Sequence, residues 1–286
     1  MPELTTLTTA SGFRFNAWVE GPADGPLVLL LHGYPQSRHA WRAQLPALAA
    51  AGYRAVAPDQ RGYSPGARPD PADLANYAVD HLVADVVALA AACGHGDKRF
   101  HLVGHDWGGQ VAWRVAAAHP ARIASLAILS RPHPAAFLRA LEAPDGDQAH
   151  RSRHHKAFLD PHTGKLLLEN DAVRLRRGLS EAGVPPEAVQ FYVSVLGDPA
   201  AMEAALAWYR AAGGLRTAIG AVTVPTLYIW GDADATVGRA AAEGTAAFVA
   251  GPYRFAVLPG IGHFITDQVP EQVNVLLLEH LKAHPA

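Results

Sequence analysis

Six short, nearly continuous apolar runs, at 27–31, 53–57, 100–103, 123–129, 226–230 and 253–258, recur along a chain of 286 residues. A strand covered on both faces reads this way, because neither of its alternating sets of side chains meets water. Segments with helical patterning, 40–50, 79–92, 109–119 and 239–250, lie between most of the runs, and 271–283 closes the chain. Two further strand-like stretches, 4–9 and 14–20, flank Ser11-Gly12 as a hairpin. The alternation predicts an α/β fold: a mostly parallel sheet of about eight strands with helices on both faces.

The alternation fails between 132 and 217, where Arg, His, Pro and Glu become frequent and helical patterns follow one another without strands. This segment is expected to be a helical lid inserted after the sixth strand, with 1–131 and 218–286 forming the core. Ligands then bind between the lid and the carboxyl ends of the strands. With 50% apolar residues the chain can bury a large core, and a net charge of −2 supplies no basic field for nucleic acid or an anionic membrane. A small molecule is the expected partner, and a homodimer is admitted. The single cysteine, Cys93, cannot close an internal disulfide, and the opening Met1-Pro2-Glu3-Leu4 lacks the basic and apolar regions of a secretory signal. No stretch approaches the roughly 18 uninterrupted apolar residues of a membrane helix, so a soluble, cytoplasmic protein is expected.

Gly104-His105-Asp106-Trp107-Gly108 joins the run at 100–103 to the helical stretch that follows, with glycine two positions either side of the central residue. That spacing suits a sharp strand-to-helix elbow that presents residue 106 at the edge of the sheet. Aspartate there is already anionic at neutral pH and attacks without a base. Attack on an amide or ester would give a high-energy anhydride, so the fitting electrophile is a saturated carbon with a strained or good leaving group, as in an epoxide or a carbon–halogen bond.

An alkyl ester on Asp106 must then be hydrolysed, which calls for a base to activate water and a group to orient that base. His263, in the loop Gly260-Ile261-Gly262-His263-Phe264, and Asp234, just past the seventh strand, fill those roles, with Asp232 the alternative acid. The ester oxyanion needs two converging N–H donors. Trp107 supplies one, and Tyr34 in His32-Gly33-Tyr34-Pro35 is the candidate for the other. Gly62-Tyr63-Ser64-Pro65-Gly66 also has G-x-S-x-G spacing, but Pro65 has no N–H to offer an oxyanion, so Ser64 reads as a loop residue. The cluster His150, Arg151, Arg153, His154, His155, Lys156 brings cations beside its imidazoles and no interleaved carboxylate, which argues against a metal.

With these elements assembled, the chain resembles the α/β-hydrolase epoxide hydrolases over nearly its whole length, strongly at 32–41, 59–69, 104–109 and 260–264 and more weakly through the lid. The resemblance implies the α/β-hydrolase fold and conversion of an epoxide to a vicinal diol through a hydroxyalkyl ester on Asp106, with no metal or organic cofactor. It also implies that lid hydroxyls grip the epoxide oxygen. Tyr209, in Trp208-Tyr209-Arg210, matches one of them. The second lid tyrosine of the family stands four residues before a phenylalanine that leads into an acidic-Pro pair; here Phe158, Asp160 and Pro161 are present and the position holds His154. A neutral imidazole can donate the same hydrogen bond, with His155 as the alternative; Trp107 and His155 are the expected substrate contacts. The rival readings are a haloalkane or haloacid dehalogenase of the same fold and a non-catalytic ligand-binding member. Tyr34 stands where haloalkane dehalogenases commonly place Asn, and Trp107 and Gln110 stand where fluoroacetate dehalogenases place arginines.

Overall fold

The computed structural model describes residues 2–211 and 219–286. The two hairpin stretches and the six apolar runs each become a strand: β1 (Glu3–Thr8), β2 (Arg14–Glu20), β3 (Leu27–Leu31), β4 (Arg54–Pro58), β5 (Phe100–His105), β6 (Ile123–Leu129), β7 (Thr226–Gly231) and β8 (Tyr253–Leu258). They form one sheet in the order β1-β2-β4-β3-β5-β6-β7-β8. The hairpin β1–β2 joins β4 antiparallel, and from β4 to β8 every pairing is parallel. β3, β5 and β6 are buried at every residue, which explains their nearly continuous apolar sequences; His101 of β5 and Ser125 of β6 satisfy each other at 2.8 Å. β8 departs from the expectation of burial on both faces: it pairs only with β7 at the sheet edge, and most of its residues are partly exposed.

The helices before β6 are α1 (Gln44–Ala50), α2 (Val79–Ala92) and α3 (Trp107–Ala118). α1 starts later than its apolar pattern because Pro46, which can donate no N–H, is tolerated only in a first turn; a 3-10 turn, Arg38–Trp41, precedes it. Between β6 and β7 lie α4 (Pro134–Glu142), α5 (Gln148–Arg151), α6 (Arg153–Phe158), α7 (Thr163–Glu181), α8 (Pro186–Leu196) and α9 (Pro199–Arg210), with no strand among the described residues. The expected boundary at 217/218 lies outside the described residues. α7 is broken at Glu169 to Ala172, where Asn170, Asp171 and Ala172 have φ of 52°, 57° and 55°.

After β7 come α10 (Arg239–Gly244), α11 (Ile265–Gln268) and α12 (Pro270–Ala283). The helix expected to run to 250 stops at Gly244, whose backbone freedom disfavours a helix interior, and tightens into a 3-10 turn, Thr245–Phe248. The α4–α9 segment is pinned to the loop after β4 and to α11 by buried polar bonds: Trp208 Nε1 donates to the Arg61 carbonyl at 3.0 Å, and the Tyr192 hydroxyl donates to Asp267 at 2.9 Å. No helix among the described residues is long and apolar enough to cross a membrane.

Candidate active site

Asp106 occupies the single-residue turn between β5 and α3, with φ 49° and ψ −116°. A non-glycine residue in that region costs about 1–3 kcal/mol and persists only where its surroundings dictate it. Here the helix is pressed onto the strand ends: a Cβ on Gly108 would stand 2.6 Å from the His32 carbonyl oxygen. Gly33 approaches from the loop after β3, and a Cβ there would lie 2.9 Å from Asp106 Oδ2. The Trp107 N–H donates to the same Oδ2. Asp106 Oδ1 lies 3.2 Å from His263 Nε2, and His263 Nδ1 lies 2.7 Å from Asp234 Oδ2.

The supports of this chain come from several strand ends. Asp234 is fully buried, and its Oδ1 accepts from the Thr236 N–H at 2.7 Å, the Thr236 hydroxyl at 2.8 Å and the Val237 N–H at 3.0 Å. The Thr236 oxygen also lies 2.9 Å from His263 Nδ1. The His263 carbonyl accepts from the Ser130 hydroxyl and is held by His105 Nε2, each at 2.8 Å. Asp232, the rival acid, accepts from the Gly260 N–H at 2.6 Å and faces Arg239 at 3.6 Å, so it ties down the loop and leaves the imidazole to Asp234.

Burial opposes charge on both Asp106 and His263, and their contacts override it. Desolvation would raise the Asp106 pKa, but the hydrogen bond and charge of His263, helped by His105 and Arg131, hold it well below the usual carboxylate range. Desolvation would lower His263, but Asp234 and Asp106 raise it to about 10. Both shifts favour an imidazolium between two carboxylates in the resting site.

Asp106, His263, Tyr34, Tyr209 and His154 line one cavity of about 560 Å³, with Phe158, Leu175 and Phe264 among its apolar walls. Tyr209 is buried, and its ring centroid lies 5.0 Å from that of Trp107 and 5.5 Å from that of Tyr34. Burial and the nearby Asp106 charge push its pKa well above the ordinary tyrosine value, so it stays a neutral phenol. Burial likewise lowers His154, whose Nδ1 sits 3.1 Å from the Arg151 carbonyl.

Two expected contacts fall elsewhere. The His155 ring lines a neighbouring cavity, since adjacent helical residues point about 100° apart. The Trp107 indole packs against Trp208 at 5.6 Å and Tyr209 at 5.0 Å and is not among the described residues that line the Asp106 cavity, so it supports Tyr209 from behind while its backbone N–H faces Asp106. Ser64 is buried, donating to the Asp59 carbonyl at 2.7 Å and accepting from the Asn16 N–H at 2.9 Å, a loop residue as expected. Sequence reasoning missed Thr236, His105 and Ser130. For Thr236 a signal exists, since Asp234-Ala235-Thr236 is a spacing at which an aspartate accepts from the backbone two residues on.

The alpha/beta hydrolase fold family matches residues 26–269. The chain is 33% identical to the AB hydrolase superfamily protein YfhM of Bacillus subtilis, over 95% of this chain and 96% of that one. It is 32% identical to epoxide hydrolase A of Mycobacterium tuberculosis, covering 96% of both chains. Among solved structures, epoxide hydrolase A of Mycobacterium thermoresistibile superposes with a TM-score of 0.83 at 28% identity, covering 100% of this chain and 99% of that one.

Proposed function

Since the chain belongs to the alpha/beta hydrolase fold family and is a hydrolase, we propose that it opens an epoxide to a vicinal diol through a covalent ester on Asp106. The observation that carries this reading is an aspartate at the elbow, kept anionic by His263, sharing one cavity with a phenol and an imidazole that are both neutral. Helices α4–α9 act as the lid over that cavity.

In this scheme an Asp106 carboxylate oxygen attacks a ring carbon and the carbon–oxygen bond of the ring breaks. Tyr209 and His154 hydrogen-bond the departing oxygen, which takes the Tyr209 hydroxyl proton as the ring bond breaks, and the resulting phenolate is reprotonated through solvent by the proton that His263 gives up. Ester formation removes the negative charge beside His263 Nε2. The imidazole then keeps Asp234 as its only anionic partner, its pKa falls, and once deprotonated it becomes a base for water. Water attacks the ester carbonyl, the N–H groups of Trp107 and Tyr34 stabilise the oxyanion, and cleavage of the acyl–oxygen bond releases the diol and restores Asp106.

The names of the relatives support the substrate class. The test is to mix the His263→Gln variant with a small epoxide and record its intact mass. A gain equal to the epoxide, located on the Asp106 peptide, is expected. An unmodified mass with undiminished diol formation contradicts the proposal, and halide released from a haloalkane without diol from an epoxide assigns the dehalogenase reading instead.

A further inference from the structure

A second cavity, of about 630 Å³, adjoins the first, and among the described residues Tyr209 is the one that lines both. Its cationic lining includes Arg131, Arg153, Lys156 and Arg210, and no aspartate or glutamate is among its walls within the described residues. The same cavity is lined by the apolar side chains Phe137, Leu138, Leu141 and Leu159. Arg210 is satisfied by Glu203 at 2.6 Å, and Arg153 bonds His150 at the surface. Arg131 is different. It is buried at 9% exposure, its Nε donates to Gln110 Oε1 at 3.1 Å, and its guanidinium lies 4.3 Å from the Phe137 ring centroid. Among the described residues no carboxylate lies within ion-pairing distance of it. Arg61, equally buried, shows the usual remedy, a bidentate pair with Asp85 at 2.6 and 2.7 Å. The Gln110 amide nitrogen beside Arg131 is also buried and without a partner.

A buried guanidinium with no carboxylate in hydrogen-bond contact is costly, because charges that act on it only through space, here Asp106 and Asp234, replace its lost hydration incompletely. Its planar fork matches a carboxylate, and a neighbouring amide N–H would add a third donor. Burial already disfavours the charged form of Arg131, so an arriving anion would relieve that cost. We propose that this second cavity binds a carboxylate-bearing small molecule, its anion on Arg131 and Gln110 and its apolar body along Phe137 and the leucines. The carboxylate is either the tail of the substrate, reaching past Tyr209, or a free acid that occupies the cavity while Asp106 works next door. The binding site itself stands independently of the epoxide reading.

The experiment is calorimetric titration of the full chain with hexanoate and with hexanamide, which share length but not charge. Hexanoate is expected to bind at least about 10-fold more tightly, consistent with a charge-assisted hydrogen bond. Arg131→Gln should abolish the preference. Leu138→Trp, which leaves Arg131 in place and fills the apolar side, should weaken both ligands and serves if Arg131→Gln does not fold. Equal binding of hexanoate and hexanamide to the wild-type chain overturns the proposal, as does hexanoate binding that both variants leave unchanged.

Turnover of a terminal epoxy fatty acid against its methyl ester separates the two sources and alone rests on the epoxide reading. An Arg131-dependent preference for the acid assigns the carboxylate to substrate. Equal turnover alongside Arg131-dependent hexanoate binding assigns it to a free acid. A chain that turns over no epoxide still binds hexanoate if the cavity is as described, so the two readings fail separately.

Discussion

At Asp106 two forces oppose each other, burial favouring the protonated acid and the His263 hydrogen bond favouring the anion, and the second prevails. That balance depends on close packing as much as on charge. Gly33→Ala would drive a methyl group into the Asp106 carboxyl. Its turnover should fall by about 10² or more through loss of alignment while its thermal midpoint moves little, and an unchanged rate would refute the close approach. Tyr209→Phe removes a neutral proton donor from the cavity wall and should slow ester formation by about 10²–10³. Rapid-quench kinetics should then show that hydrolysis of ester already formed proceeds at the wild-type rate. A loss confined to the hydrolytic step would assign Tyr209 a different role.

The segment that carries Tyr209 is fastened to the core element by element. Tyr192 on α8 donates to both oxygens of Asp267 on α11, at 2.9 and 3.1 Å, while Gln36 donates to Oδ2 at 2.8 Å and Arg42 pairs with Oδ1. Removing the Tyr192 hydroxyl leaves Asp267 two donors, so Tyr192→Phe should cost about 1–2 kcal/mol in chemical denaturation. Asp267→Ala strands the Arg42 charge and should cost about 3–5 kcal/mol; equal losses for the two variants would contradict the network. The elements themselves were legible wherever one local rule decided them: β3 and β6 as nearly continuous apolar runs, and the elbow as glycine spacing around Asp106. Asp234 and His263 were legible because each follows a strand end directly. Thr236, His105 and Ser130 were not, because β5, β6 and β7 bring them to His263 from three separate parts of the chain. His154 against His155 is a question of helix rotation, which no spacing along 150–156 could decide. Arg131 belongs to no motif, and its lack of a bonded carboxylate is visible only once the surrounding walls are in place.

Across the whole molecule, buried imidazoles set the acid limit of stability. Burial lowers the pKa of His32, His101, His105 and His133 to about 4 each, against about 6.5 in an unfolded chain. The unfolded state therefore takes up protons that the folded state refuses. Stability is full above about 6.5 and is lost as the pH falls toward 4. A thermal midpoint that stays level over that interval would contradict these burials. His263 has the opposite sign: its pKa is raised, so its contribution is complete below about 6.5 and disappears as the pH climbs through about 10. The difference in midpoint between wild type and His263→Gln should accordingly shrink on the alkaline side. The covalent step is tested most directly by a single turnover, with enzyme in excess over epoxide, in oxygen-18-labelled water. Water that attacks the ester carbonyl leaves its oxygen in the protein, so the diol should emerge unlabelled and the Asp106 peptide should carry one heavy oxygen. A labelled diol with an unlabelled Asp106 would mean that water opens the ring directly, and the aspartate is not the nucleophile.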